Sequence, residues 1–245
     1  VCSSDLVERQ LVQLLFSQNN YNEALKYLKR AHNAKSTPEC CFDIGVIEFK
    51  GNNYQKALTH FNEALKLDEK FQKARILKIE TLLQMKKHDE AVATTTEWLT
   101  KEPNNQTALH TFMLLRKAGI QPHTLIKKLA IIQSKTKQFN ISACLADLYM
   151  ETHKPKNAEE CYHSMLKQTT DATTKSKIFF HLGYIYFISK QGDKVEKTLK
   201  QALEHKPVYP SAYNLLAYHY AENNKNLSEA LTLIDQALVL VPNCY

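Results

Sequence analysis

Residues 179–207 read FFHLGYIYFISKQGDKVEKTLKQALEHKP, two apolar segments joined by a short polar stretch. In the second segment, Val195, Leu199 and Ala202 follow one another at intervals of four and three residues, which places them on one face of an α-helix. The first segment contains the large–small pair Leu182-Gly183, where a second helix can approach closely. This stretch predicts two packed helices separated by a turn.

The same pattern recurs along the chain about every 34 residues. Small or apolar side chains occupy the position of Val195 in every copy: Ala24, Ala57, Ala91, Leu125, Ala158, Val195 and Ala230. A period of this length is typical of helix–turn–helix repeats, each of which buries its apolar face against the next copy. The sequence therefore predicts a repeat fold rather than a globular enzyme core.

The pattern resembles the tetratricopeptide repeat (TPR). The family signature is matched by Phe179, Leu182-Gly183, Tyr186, Val195, Leu199, Ala202 and Pro207, and again by Tyr213, Leu216-Ala217, Tyr220, Ala230, Ile234, Ala237 and Pro242. The resemblance implies an all-α, right-handed α-solenoid of about seven repeats in a single array over residues 1–245. The expected repeats are 5–37, 38–71, 72–105, 106–138, 139–175, 176–209 and 210–245.

Two places depart from the regular repeat. In 106–138, Leu125 and Leu129 replace small or aromatic residues, and Pro122 opens the second helix, where proline is tolerated. The interval before Val195 is 37 residues long, which predicts a loop of extra residues from Thr169 to Lys175.

Motifs for catalysis or cofactor binding do not stand out in the sequence. None of the ten histidines lies in H-E-x-x-H or in an i, i+4 His pair, and there is no glycine-rich phosphate loop and no G-x-S-x-G. We therefore expect no catalytic residue, no cofactor and no metal site.

The TPR resemblance implies that the first helices of the repeats line a concave groove that binds a peptide or a partner helix. The candidates for that face are Phe42, Val46, Phe49, Phe180, Tyr184, Phe187, Asn214 and Tyr218. Aromatic rings with an amide among them suit a peptide with apolar anchors. The alternative is that they only pack against neighbouring helices.

Charge is unevenly distributed along this chain of net charge +7. No acidic residue occurs between Glu102 and Asp147, whereas six basic residues do: Arg116, Lys117, Lys127, Lys128, Lys135 and Lys137. This basic patch is either ordinary hydrated surface or a contact for an acidic protein, a nucleic acid or an anionic membrane. Few aromatic residues accompany the charges, which disfavours nucleic-acid binding by base stacking.

The function that the sequence favours is a non-catalytic protein–protein interaction scaffold. The alternatives are the TPR arm of a larger enzyme, such as a glycosyltransferase, and a basic nucleic-acid-binding superhelix. Six cysteines without a C-x-x-C or a regular spacing favour reduced thiols and a cytoplasmic location. The bacterial cell envelope is the alternative if a signal sequence is missing from the fragment. No apolar run has the length that a membrane span needs.

The last predicted helix has a wide apolar stripe formed by Leu231, Ile234, Leu238, Leu240 and Val241. A terminal repeat needs a polar outer face, because no further repeat covers it. We therefore expect the chain to be a piece of a longer array, or to self-associate through its C-terminal end.

Overall fold

The computed structural model describes residues 10–12, 14–34, 36–206 and 209–241, and among these residues helices follow one another without a strand. The helices are α1 (Tyr21–Ala34), α2 (Pro38–Lys50), α3 (Tyr54–Leu67), α4 (Gln72–Gln84), α5 (His88–Lys101), α6 (Gln106–Lys117), α7 (Pro122–Thr136), α8 (Phe139–Glu151), α9 (Pro155–Leu166), α10 (Ala172–Ile188), α11 (Gly192–His205), α12 (Pro210–Glu222) and α13 (Leu227–Leu240). Residues 10–12 and 14–17, before α1, are also helical. The predicted all-α fold class is confirmed.

Contacts divide the chain into two compact units, Val1–Ile120 and Gln121–Tyr245. Within each unit, every helix from α1 onward packs against the next one along the chain, and the first helices of consecutive repeats also meet, α2 with α4 and α10 with α12. The boundary between the units lies in the connection from α6 to α7, which are the two helices of the expected repeat 106–138.

The residues at the repeat position of Val195 form the buried column that the period predicts. Each is at most 3% exposed: Ala24, Ala57, Ala91, Leu125, Ala158, Val195 and Ala230. Four residues further on, Phe61, Leu129 and Leu199 are fully buried, so the helical face predicted from the spacing is the packed one.

Glycine in the large–small pairs reflects close helix approach. A Cβ atom built on Gly45 would lie 2.6 Å from Cε1 of Phe61, and one on Gly183 would lie 2.6 Å from Cδ2 of Leu199. Both neighbours are fully buried residues at the same position of the following helix. The first helix of the pair therefore needs a residue without a side chain at this point.

The long interval before Val195 extends a helix, so only residues 169–171 of the predicted loop from Thr169 to Lys175 lie outside a helix. Helix α10 begins at Ala172 and has 17 residues. The Asp171 carboxylate accepts a hydrogen bond from the Thr174 amide at 2.7 Å, which caps the helix. Hydrogen bonds from the Thr174 side chain and from the Thr174 amide lower the pKa of Asp171. The cap starts α10 one turn earlier than the repeat spacing predicts.

Prolines open several helices, as predicted for Pro122. They stand in the first turn of four helices, at Pro38, Pro122, Pro155 and Pro210. Proline suits this position because its missing amide hydrogen has no partner inside the helix. The signature prolines Pro207 and Pro242 lie outside the described residues.

The outer face of α13 is apolar and open to solvent. Its exposed side chains are Leu227, Leu231, Ile234, Leu238 and Val239, while Leu240 and Val241 are half-buried. Ile234 is 39% exposed, whereas Leu199 at the same repeat position of α11 is fully buried. None of the helices in the described part of the chain is long and apolar enough to span a membrane.

Candidate functional site

Five of the predicted groove residues form one surface of the second unit, which we call the aromatic surface. It consists of Phe180, Tyr184 and Phe187 on α10 and of Asn214 and Tyr218 on α12. Intervals of four and three residues place each set on one face of its helix. Since α10 and α12 are in contact, the two faces lie side by side.

Ring contacts hold the aromatic surface in place. Phe187 meets Tyr218 edge to face with centroids 5.6 Å apart, and Phe180 packs against Tyr209 at 5.2 Å. Edge-to-face pairs contribute about 0.5–1.5 kcal/mol beyond the burial of their area. Phe180 and Phe187 are half-buried, whereas Tyr184 and Tyr218 remain 43% and 58% exposed. The phenylalanines thus anchor the surface, and the tyrosines project from it.

A cleft of about 410 Å³ borders the aromatic surface at Phe187. Its lining consists of Phe187, Ile188, Lys190, Gly192, Val195, His219, Glu222 and Asn223. Ile188 is 44% exposed and was not among the predicted groove residues, although it follows Tyr184 by four positions on the same helix. The cleft offers apolar walls with one basic and one acidic residue, and its volume is in the range of small ligand pockets.

The predicted groove residues of the first unit lie in a different environment. All three, Phe42, Val46 and Phe49, are half-buried. The Phe42 ring lies 5.1 Å from Phe71 and 6.0 Å from Phe61, and Phe49 lies 5.6 Å from Tyr54. These rings pack against other rings of their own unit and leave less open apolar surface than Tyr184 and Tyr218.

The basic patch is exposed at all six positions but is divided between the units. Arg116 and Lys117 end α6 in the first unit, and the other four belong to α7 and its C-cap in the second: Lys127, Lys128, Lys135 and Lys137. Arg116, Lys117 and Lys135 lie in last turns, where the helix dipole favours a cation. Helix stabilisation therefore accounts for some of these charges and does not require the patch to bind another molecule.

Thiol chemistry in the second unit is suppressed by burial. Burial, with Asp147 nearby, raises the pKa of Cys144 to about 11, and burial, with Glu160 nearby, raises that of Cys161 to about 11. Both therefore stay protonated near neutral pH, whereas a nucleophilic cysteine needs a lowered pKa. The environment of Cys144 and Cys161 therefore suits a role in packing rather than in nucleophilic chemistry.

One group of possible metal ligands occurs among the described residues. His32 on α1, Cys41 on α2 and Glu63 on α3 offer ligand atoms within 4.8 Å of one another. Their separations of 9 and 22 residues match no short metal-binding motif, so the sequence contained no signal for them.

The fold and the surface together define the class: an all-α protein of tandem helix pairs, with exposed aromatic residues on the first helices. Two models of the tetratricopeptide repeat family match the chain, one over residues 49–115 and one over residues 196–243. The chain is a tetratricopeptide repeat protein, as its sequence pattern predicts.

Solved structures share the fold at low sequence identity. The C-terminal part of a TPR repeat-containing protein from Cytophaga hutchinsonii is 13% identical with a TM-score of 0.61, and the match covers 96% of each chain. A structure of Naa15/Naa10 bound to HypK-THB is 15% identical with a TM-score of 0.57, covering 99% of this chain and 38% of the other.

A third structure, the APC/C hetero-tetramer Cut9–Hcn1, is 15% identical with a TM-score of 0.49, covering 95% of this chain and 46% of the other. This chain thus spans less than half of the chains matched in the Naa15/Naa10 and Cut9–Hcn1 structures. No curated protein matches the sequence.

Proposed function

We propose that this chain is a non-catalytic protein-interaction scaffold that binds a peptide or a partner helix on the aromatic surface. The observation that carries the proposal is the pair of exposed tyrosines, Tyr184 and Tyr218, on neighbouring helices around the half-buried ring of Phe187. Single exposed apolar residues are common on protein surfaces, but several grouped together are typical of interaction sites.

The chemistry of the surface suits a peptide with apolar anchors. Tyrosine offers a large contact area and loses little rotamer freedom on binding, and it is enriched among residues that dominate binding energy. The exposed amide of Asn214 can donate to and accept from a peptide backbone. In the adjoining cleft, Lys190 and Glu222 can pair with peptide charges.

The fold supports the same function. Repeats of this type use extended surfaces for binding, because each repeat contributes one first helix to them. One of the solved structures with a similar fold is a complex, Naa15/Naa10 bound to HypK-THB.

The test is to select peptides from a displayed random library against the full chain and to measure their affinity by fluorescence anisotropy. Selected peptides should contain aromatic or aliphatic anchors. Tyr184→Ala and Tyr218→Ala should each weaken binding about 30-fold, which corresponds to about 2 kcal/mol at a central contact. Ile131→Ala is the matched control, since Ile131 is 56% exposed on α7 and lies outside the aromatic surface.

Equal affinities of the parent and both tyrosine variants, with unchanged helicity, would exclude the aromatic surface as the binding site. An equally large loss of affinity in Ile131→Ala would show that the assay detects nonspecific apolar binding.

A further inference from the structure

Three helices of the first unit bring together an imidazole, a thiol and a carboxylate. His32 lies near the end of α1, Cys41 near the start of α2 and Glu63 in the last turns of α3, and their ligand atoms lie within 4.8 Å of one another. Within this group, Nε2 of His32 lies 3.8 Å from Oε2 of Glu63.

These donor types and their spacing suit Zn²⁺. Zinc binds nitrogen, sulfur and oxygen at about 2.0–2.3 Å in a tetrahedral arrangement, which places ligand atoms about 3.5 Å apart. The distance between His32 and Glu63 is already close to that value. A closure of at most about 1.3 Å brings the remaining pairs to it.

His32 lacks a hydrogen bond that would account for its position. Its Nδ1 atom is buried and has no hydrogen-bond partner among the described residues. Its Nε2 atom, at 3.8 Å from Glu63, is beyond hydrogen-bond range. Because Nε2 approaches Glu63 without a hydrogen bond, a metal bond to Nε2 would give this atom a partner.

Neighbouring polar groups support the other two side chains. The Ser36 hydroxyl lies 3.3 Å from Sγ of Cys41 and can donate to a thiolate. Nδ1 of His60 lies 3.1 Å from Oε2 of Glu63 and, when protonated, donates to that carboxylate. Such outer hydrogen bonds orient metal ligands and tune their basicity.

An ion can reach this group from solvent. Cys41 is fully buried, whereas the side chains of His32 and Glu63 are 26% and 39% exposed. The thiol is thus the buried member of the group and the other two residues are its exposed members, and a water molecule or His60 is the candidate fourth ligand.

We propose that His32, Cys41 and Glu63 bind one Zn²⁺ ion that links α1 to the α2–α3 pair. Binding replaces the thiol proton of Cys41 by a bond to the metal, and the proton leaves to solvent. Because the ligands come from three helices, the bound ion stabilises the packing of the first repeat on the second.

The test uses the full chain, freed of metal with a chelator and kept reduced. Titration with Zn²⁺ in a calorimeter should give one ion per chain, and the thermal midpoint should rise with the Zn²⁺ concentration, since the ion binds the folded state. Co²⁺ should give a thiolate-to-metal charge-transfer band in the near ultraviolet, which reports Cys41 directly.

Variants separate this site from chance binding. Cys41→Ser should abolish the Co²⁺ band, and Glu63→Gln, which alters a partly exposed side chain and keeps an acceptor for His60, should weaken Zn²⁺ binding at least about tenfold. Cys161→Ser and Glu159→Gln are the matched controls. Glu159 lies 3.7 Å from His163, much as Glu63 lies near His32, but among the described residues no thiol completes a three-ligand group with them. Neither control should change binding.

Two results would overturn the proposal: no saturable Zn²⁺ binding by the parent chain, or equal affinity in the parent and Glu63→Gln. If Cys41→Ser does not fold, Glu63→Gln decides the question alone.

Discussion

At the scale of single residues, burial determines how the cysteines of the second unit react. Cys144 on α8 and Cys161 on α9 are both half-buried and free of disulfide bonds. Burial disfavours the charged thiolate, so the pKa of each thiol is raised to about 11. The rate at which alkylating reagents modify these thiols should therefore keep rising with pH well above the neutral range.

We predict that both thiols are alkylated about a hundredfold more slowly at pH 8 than an unperturbed cysteine, because the thiolate fraction is smaller by about that factor. The rate should rise about tenfold per pH unit and level off near pH 11, the pKa of both groups. Mass spectrometry of iodoacetamide-treated protein gives the rate at each site, and far-ultraviolet circular dichroism checks that the fold persists. A rate that levels off by pH 9 would contradict the raised pKa values.

At the scale of helices, the close approach of α2 and α3 depends on Gly45. Its neighbour across the helix pair is Phe61, which is fully buried and whose Cε1 atom would lie 2.6 Å from an added Cβ atom. Packing of this kind tolerates little added volume, because protein interiors are as dense as organic crystals.

We predict that Gly45→Ala destabilises the first unit by about 1–3 kcal/mol, the usual cost of overpacking. Urea unfolding followed by the fluorescence of Trp98, the only tryptophan of the chain, reports on this unit. Gly51→Ala is the matched control, since a Cβ atom there meets nothing closer than 3.5 Å and its φ of −79° suits alanine. Equal unfolding midpoints for the parent and Gly45→Ala would mean that the two helices can move apart at little cost.

At the scale of the whole molecule, the exposed face of α13 departs from a polar protein surface. Leu231 and Val239 are 65% and 80% exposed. At these two repeat positions, α11 has the polar residues Glu196 and Glu204 instead.

We predict that the 245-residue chain self-associates through α13 and binds a dye specific for exposed apolar surface, because a patch of this kind promotes contacts between molecules. Leu231→Lys should lower both the sedimentation coefficient at high concentration and the dye signal, and leave stability nearly unchanged. Leu233→Lys is the contrasting variant: Leu233 is 8% exposed, so the same substitution should unfold the helix pair. A monomeric parent chain without dye binding would contradict this prediction.

Much of the fold is predictable from the sequence, because the spacing of apolar residues along the chain identifies the helix pairs. The interval of about 34 residues and the three- and four-residue steps within it identify the buried columns, including the residues at Leu125 and Val195 that are not small. The sequence also indicates which residues of the aromatic surface share a helix face. Both results follow from helical geometry alone, which depends on residues close in sequence.

Only the tertiary structure determines which side chains remain exposed and which residues of different helices come into contact. Val46 and Tyr184 each follow the glycine of their repeat by one residue, but Val46 is half-buried and Tyr184 is 43% exposed, since exposure depends on neighbours from other repeats. Likewise, His32, Cys41 and Glu63 match no motif and become neighbours only when three helices stack. The physical reason is that periodicity specifies the face of a helix, whereas burial and side-chain proximity depend on residues distant in sequence.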